Sequence, residues 1–120
     1  LSLNTQVNRI DELTFEVILT VTVTTHIGDQ TAFIVEVQQA GLVGVKGFAE
    51  PDLGPLLGAY CPNLLFPYAR EAISDLVAKG SFPQLVLQPV NFEVLYAQRQ
   101  RQMMEEMQKQ AGAAPSSAIN

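Results

Sequence analysis

Apolar and polar residues alternate with a period of two through the first part of the chain. Leu1, Leu3, Thr5 and Val7 stand against Ser2, Asn4 and Gln6, which predicts a strand with one buried face over residues 1–7. The polar run 8–12 predicts a turn. Over residues 13–25 the alternation is strongest. Leu13, Phe15, Val17, Leu19, Val21 and Val23 share one face, Thr14, Glu16, Thr20, Thr22 and Thr24 the other, and Ile18 is the exception. β-Branched residues suit such a half-buried pleated surface. After a turn around Gly28, Phe33, Val35 and Val37 continue the inward row over residues 31–39, so Ile34, Glu36 and Gln38 point outward. Short polar turns between three such strands predict an antiparallel meander. An outward Ile beside a carboxylate marks a candidate docking patch.

Further along, the period changes. Gly41, Gly44 and Gly47 lack the lysine of a phosphate loop and are read as bends at a sheet end. Residues 50–62, rich in Gly and Pro, predict a loop. Leu65, Ala69, Ala72, Ile73, Leu76 and Val77 form a stripe at helical spacing, predicting a helix over residues 63–79. Asn63 is its expected cap, Pro67 is tolerable only in its first turn, Asp75 and Lys79 pair at i,i+4, and Gly80 is the stop. The small Ala69 and Ala72 would admit a close neighbour. Residues 81–90 are apolar but broken by proline, which predicts a connecting loop with Phe82, Leu85, Val86 and Leu87 accessible. Asn91 caps a second helix carrying Phe92, Leu95, Tyr96, Arg99, Met103 and Met107 on one face, and residues 111–120 are expected to be disordered.

Composition sharpens this reading. Hydrophobic residues make up 48% of the chain and charged ones only 16%, which is apolar for one domain. No charge occurs between Asp52 and Arg70 or between Lys79 and Glu93, yet the prolines rule out an unbroken membrane helix there. Surplus apolar surface of this kind is expected to meet protein, either other copies or a ligand chain. The net charge of −5 argues against nucleic acid. A single Cys and a single His cannot supply a zinc site, and one cysteine suits a reducing compartment. Cys61, in an apolar setting without a basic neighbour, reads as a buried small group and His26 as a solvated loop residue, so a thiol enzyme built on the pair is the weaker alternative. The chain opens on Leu1 and not Met, as a trimmed product would.

The ordered motifs GAYCPN (58–63), LFPYARE (65–71), FPQL (82–85) and PVNF (89–92), preceded by TAFIVEVQQAG (31–41), resemble the SecB family of bacterial protein-export chaperones over residues 1–99. The resemblance implies an α+β subunit, a four-stranded antiparallel sheet with two helices packed on one face, in which the first strand reads as absent here. It makes residues 1–110 one chaperone domain. It also implies a cytoplasmic homotetramer, a dimer of dimers, that binds unfolded precursor proteins without ATP, cofactor or catalysis and hands them to SecA, the motor of the Sec translocase. By position, Leu1, Leu3, Phe82, Leu85, Leu87, Phe92 and Tyr96 would line the client groove. Ile34 and Glu36 would dock the zinc-containing tail of SecA. Val35, Val37 and Gln39 would support the oligomer, to which the small Ala69 and Ala72 are added. A SecB-like chaperone serving another client, such as an antitoxin, shares all of these features except the SecA contact.

Overall fold

The alternation at the start of the chain becomes a three-stranded antiparallel sheet in the order β1-β2-β3, with β1 at Ser2–Asp11, β2 at Thr14–Ile27 and β3 at Gln30–Gly44. The computed structural model describes residues 1–119, and their side chains as far as Ala111; the tail expected at residues 111–120 falls, past Ala111, outside the described side chains. Val17, Leu19, Val21 and Val23 are buried on the inner face, as the period of two requires. All three strands run further than their apolar residues do. One face of the sheet meets water, so polar residues there do not end pairing: Asn8 lies opposite Glu16, and on the other face Arg9 pairs with Phe15. The β1–β2 turn shrinks to Glu12 and Leu13. There the Asp11 carboxylate accepts the Leu13 backbone N–H at 2.9 Å, a bond that holds the Asp11 carboxyl below its ordinary value.

The glycines at the end of β3 are mostly not bends. Gly41 and Gly44 continue the strand, opposite Val17 and Thr14. Gly41 is small because a helix presses on it, and a Cβ there would stand 3.3 Å from Cδ2 of Leu65. Only Gly47, at φ +90°, turns the chain.

Residues 50–62 are helical and not a loop. Helix α1 spans Glu50–Pro55, a π-helical turn spans Leu56–Tyr60, and α2 spans Cys61–Lys79 without a break between them. Proline explains both the misreading and the geometry. Pro51 sits in the first turn of α1, where its missing N–H costs nothing. Pro55 and Pro62 flank the π turn, and neither can donate the bond that would continue the α pattern; instead the Cys61 N–H reaches back to the Leu56 carbonyl. Asn63 is therefore inside α2 and caps nothing, and Pro67 lies past the first turn. Pro67 has no N–H to give the Asn63 carbonyl, and Asn63 is exposed, where water can take that place.

At the other end of α2 the stop is displaced by one residue. Gly80 keeps φ −80° and Ser81 takes the left-handed conformation at φ +68°. The Ser81 N–H donates to the Ala78 carbonyl and the Phe82 N–H to that of Val77, which closes the helix as a Schellman turn. The exposed Lys79 ammonium meets Asp75 at 2.9 Å, as the spacing predicts.

Phe66, Ala69, Ile73 and Val77 of α2 pack on Leu19, Val21 and Val23 to form the main core. Each large side chain buried there contributes about 1.5–3 kcal/mol. Residues 81–90 lie across this core as a strap. Leu85, Leu87 and Val90 pack inward, Val86 points to water, and Gln84 donates to the buried Ser74 hydroxyl at 2.9 Å. Helix α3 spans Phe92–Ile119; the Asn91 side chain caps it by accepting the Val94 N–H at 3.1 Å. Phe92 closes the core, edge-on to Phe66 at 5.6 Å. A second small cluster joins Val17, Leu57 and Cys61, and burial there pushes the Cys61 thiol up from its ordinary value.

Two outcomes follow from these local geometries. Ser81→Gly removes the penalty of a side chain in the left-handed region, about 1–2 kcal/mol, less what glycine adds to the freedom of the unfolded chain; a net gain of about 0.5–1 kcal/mol should appear as a higher denaturant midpoint with unchanged slope. A lower midpoint would contradict the assigned turn. Cys61, protonated and enclosed at pH 7, should be alkylated by iodoacetamide only as fast as the protein opens, and rapid labelling of the native state would refute its burial.

Candidate functional site

The inner face of the sheet is not covered evenly. α2 lies over β2 and β3, while α3 leans on the π turn. Between α3 and the inward row of β1 a groove of about 760 Å³ remains. One wall is Leu1, Leu3, Thr5 and Val7, every second residue of one strand. The other is Phe92, Leu95, Tyr96 and Arg99, on the first turns of α3. Leu53 and Leu57 close the end, where the Arg9 guanidinium stands 5.4 Å from the Phe15 ring centre. The walls are apolar, and Arg9, Glu50 and Arg99 give the rim its charge. Such a trough offers contact along its whole length and no cluster of reactive groups.

Four of the expected groove residues, Leu1, Leu3, Phe92 and Tyr96, meet here. Phe92 does so from within the core and shows only an edge. The other three do not join them. Leu85 and Leu87 turn into the main core as part of the strap, because alternation along an extended segment sends every second side chain inward. Phe82 packs against Phe33, tilted and 4.7 Å between ring centres, near the β2–β3 turn. Of the loop's large apolar side chains Val86 stands furthest out into water. Sequence reasoning missed Leu53, Leu57 and Leu95 as groove residues. The first two lay in the stretch read as loop; Leu95 was readable from its place one turn beyond Phe92.

On the opposite, open face of the sheet, Ile34 is 65% exposed, paired across to Thr24. Glu36 lies opposite Thr22, whose hydroxyl donates to the Glu36 carboxylate at 2.9 Å. A second carboxylate, Glu16, is held on the same face by the Asn8 amide at 3.2 Å. The result is a flat, threonine-rich surface with an exposed Ile and two fixed acceptors.

Val35, Val37 and Gln39 point to the helix side and are half-buried. Ala69 is fully buried against its own sheet, and so offers no surface to another subunit; Ala72 is half-buried. The apolar side chains that do face outward here are Tyr60, at the end of the π turn, with Leu64 and Tyr68 one and two turns further on in α2, and Leu76 beyond them. Cys61 and His26 are far apart. Cys61 packs on Val17, and His26 is nine residues further along β2, about 30 Å at the rise of a strand. No acid–base pairing between them can arise in this fold. Among the described residues no group of His, Cys, Asp and Glu is placed to hold a metal ion, and no helix is long and apolar enough to cross a membrane.

Comparison with known proteins agrees with this architecture. The family described as "SecB: Preprotein translocase subunit SecB" matches residues 1–103. The chain is 55% identical over 114 residues to a protein-export protein SecB of Nitrosococcus oceani, covering 95% of this chain and 66% of that protein. A protein-export protein SecB of Marinobacter nauticus is 53% identical over 106 residues, covering 88% of this chain and 64% of its own length. That of Methylococcus capsulatus is 50% identical over 107 residues, covering 89% and 69%. The chain thus spans about two-thirds of the length of these relatives, and the match takes in the groove walls, the open sheet face and α2: the chain belongs to the SecB family.

Proposed function

We propose that this chain is the binding part of an ATP-independent export chaperone, and that the groove between β1 and α3 takes unfolded precursor proteins as extended chains. The observation that carries the proposal is the uncovered inner row Leu1, Leu3, Thr5 and Val7, an apolar wall that the subunit's own helices leave open. From Leu1 to Val7 the row is about 20 Å long at the rise of a strand, room for about six residues of an extended client. Burying four or five large apolar side chains at about 1.5–3 kcal/mol each, against several kcal/mol for association and ordering, gives about micromolar affinity per groove. Several grooves on one oligomer raise that by effective concentration. A folded protein keeps such side chains inside, so recognition selects the unfolded state without reading a motif.

The open face is the proposed dock for the zinc-containing tail of SecA. Ile34 supplies an apolar contact and Glu36 an acceptor already held by Thr22, so little ordering remains to be done on binding. The relatives' names place them in protein export, which supports this reading. Assembly as a dimer of dimers in the cytoplasm fits the outward apolar strip of Tyr60 at the end of the π turn and Leu64 and Tyr68 on α2, a surface of the kind that subunits share. Val35, Val37 and Gln39 would act beneath it by fixing the sheet on which α2 rests. Nothing in the site asks for nucleotide, and no catalytic step is part of the proposal.

Mixed with a reduced, carboxymethylated protein and no nucleotide, the chain should form a stoichiometric complex on gel filtration and leave the folded form of the same protein unbound. Equal binding of both forms, or of neither, would refute the reading. Glu36→Lys should abolish binding of the SecA zinc tail, measured by calorimetry, while client binding keeps its affinity; an unchanged tail affinity would remove Glu36 from the dock.

A further inference from the structure

Tyr96 lines two depressions at once. One is the groove; the other is a smaller crevice of about 370 Å³ bounded by Pro55, Leu56, Ala59, Tyr60 and Glu93. The ring that separates them rests on two glycines one helical turn apart. A Cβ on Gly54 would stand 2.5 Å from the Tyr96 hydroxyl oxygen, and one on Gly58 would stand 2.6 Å from ring carbons Cδ2 and Cε2. Neither glycine is in the left-handed region, so the backbone does not ask for glycine at either place. Glycine weakens a helical segment relative to alanine. What both positions need is the absence of a side chain under the ring. Gly58 moreover lies within the π turn, a distortion that recurs at functional sites and that here brings the helical backbone beneath α3.

We propose that Tyr96 is the partition that ends the client groove, a specificity-determining residue whose seat is built by Gly54 and Gly58. With the ring in its seat, a bound chain is confined to the trough along β1. With the ring removed or lifted, groove and crevice become one channel, and a client reaches Ala59 and Leu56. Deleting the tyrosine and filling its seat should therefore act alike, although one change shrinks a side chain and the other enlarges one. That equivalence separates a partition from a mere contact residue, for which only the deletion would matter.

The inference rests on the client reading above, and the test keeps the two apart. The full chain, isotope-labelled in its methyl groups, is titrated with a reduced, carboxymethylated protein, and intermolecular nuclear Overhauser contacts, which report direct packing, are read methyl by methyl. In the unsubstituted chain, contacts should mark Leu3, Val7 and Leu95 and spare Leu56 and Ala59. In both Tyr96→Ala and Gly58→Ala they should spread to Leu56 and Ala59. Client contacts in the crevice of the unsubstituted chain, or the same set of contacts in all three proteins, would overturn the partition. A client-free measurement stands beside this one. Nuclear Overhauser contacts should join the α protons of Gly54 and Gly58 to the Tyr96 ring protons, and they should vanish in Tyr96→Ala. Their absence from the unsubstituted chain would unseat the ring and with it the proposal, whatever the client does. Intact glycine–ring contacts with no contact to the client anywhere would instead refute the client reading, and the partition would fall with it for want of a chain to confine.

Discussion

One helix is too narrow to cover three strands. A helix with its side chains is about 10 Å across, while three strands at their usual spacing present a face about 14 Å wide. α2 settles over β2 and β3, where Phe66, Ala69, Ile73 and Val77 find the buried row of β2. Gly41 lets Leu65 approach β3 closely and so draws α2 toward that side. The inward row of β1 is what remains. It is apolar because a strand's inner face is apolar, and it is open because the helices reach it only in part, with Leu3 packed at the edge of the main core.

The second helix could have closed the gap and does not. α3 leaves the strap at Asn91, anchors Phe92 in the core, and then rests on the π turn and not on the sheet. Two prolines set that support: Pro55 and Pro62 bracket the segment in which the helical ladder widens, and Gly54 and Gly58 let α3 come down on it. The separation of α3 from β1 is therefore held by backbone geometry at the closed end of the groove. The open face of the sheet is governed by different physics. There cross-strand hydrogen bonds from Thr22 and Asn8 fix two carboxylates in water, and an exposed Ile stands beside them. The subunit thus carries an apolar trough on one side and, on the other, a threonine-rich surface on which Ile34 and Leu42 stand exposed. On the proposed reading the two sides serve a client and a second protein.

How much of this is legible along the chain depends on the range of the interaction. Period-two alternation is local, so the inner row of β2 and the outward Ile34 and Glu36 follow from it directly. The helix boundary at residue 50 does not. Pro51, Gly54, Pro55, Gly58 and Pro62 each read as a breaker, yet proline is tolerated in a first turn and a π turn absorbs the other two. Gly41 suggests a bend from its type alone, and only the presence of Leu65 from α2 shows it to be a close approach. Leu85 and Leu87 read as accessible because loops run over surfaces; they turn inward because this loop is extended and lies on the core. Tyr96 was readable as a groove residue, but its seat was not. Gly54 and Gly58 lie some forty residues before it, and no pattern in the chain couples a ring to two absent side chains.

The openness of the β1 row is the point on which the functional reading turns. The chain has no tryptophan, so Val7→Trp places a single reporter on the groove wall. In the protein without client its emission should be that of a wet indole, quenched by iodide. A reduced, carboxymethylated protein should shift it to the blue and shield it, while a tryptophan at Thr20 on the open face stays unchanged. Emission already blue and shielded before any client is added would mean that the trough is filled by the assembly itself, and would contradict the role assigned to it.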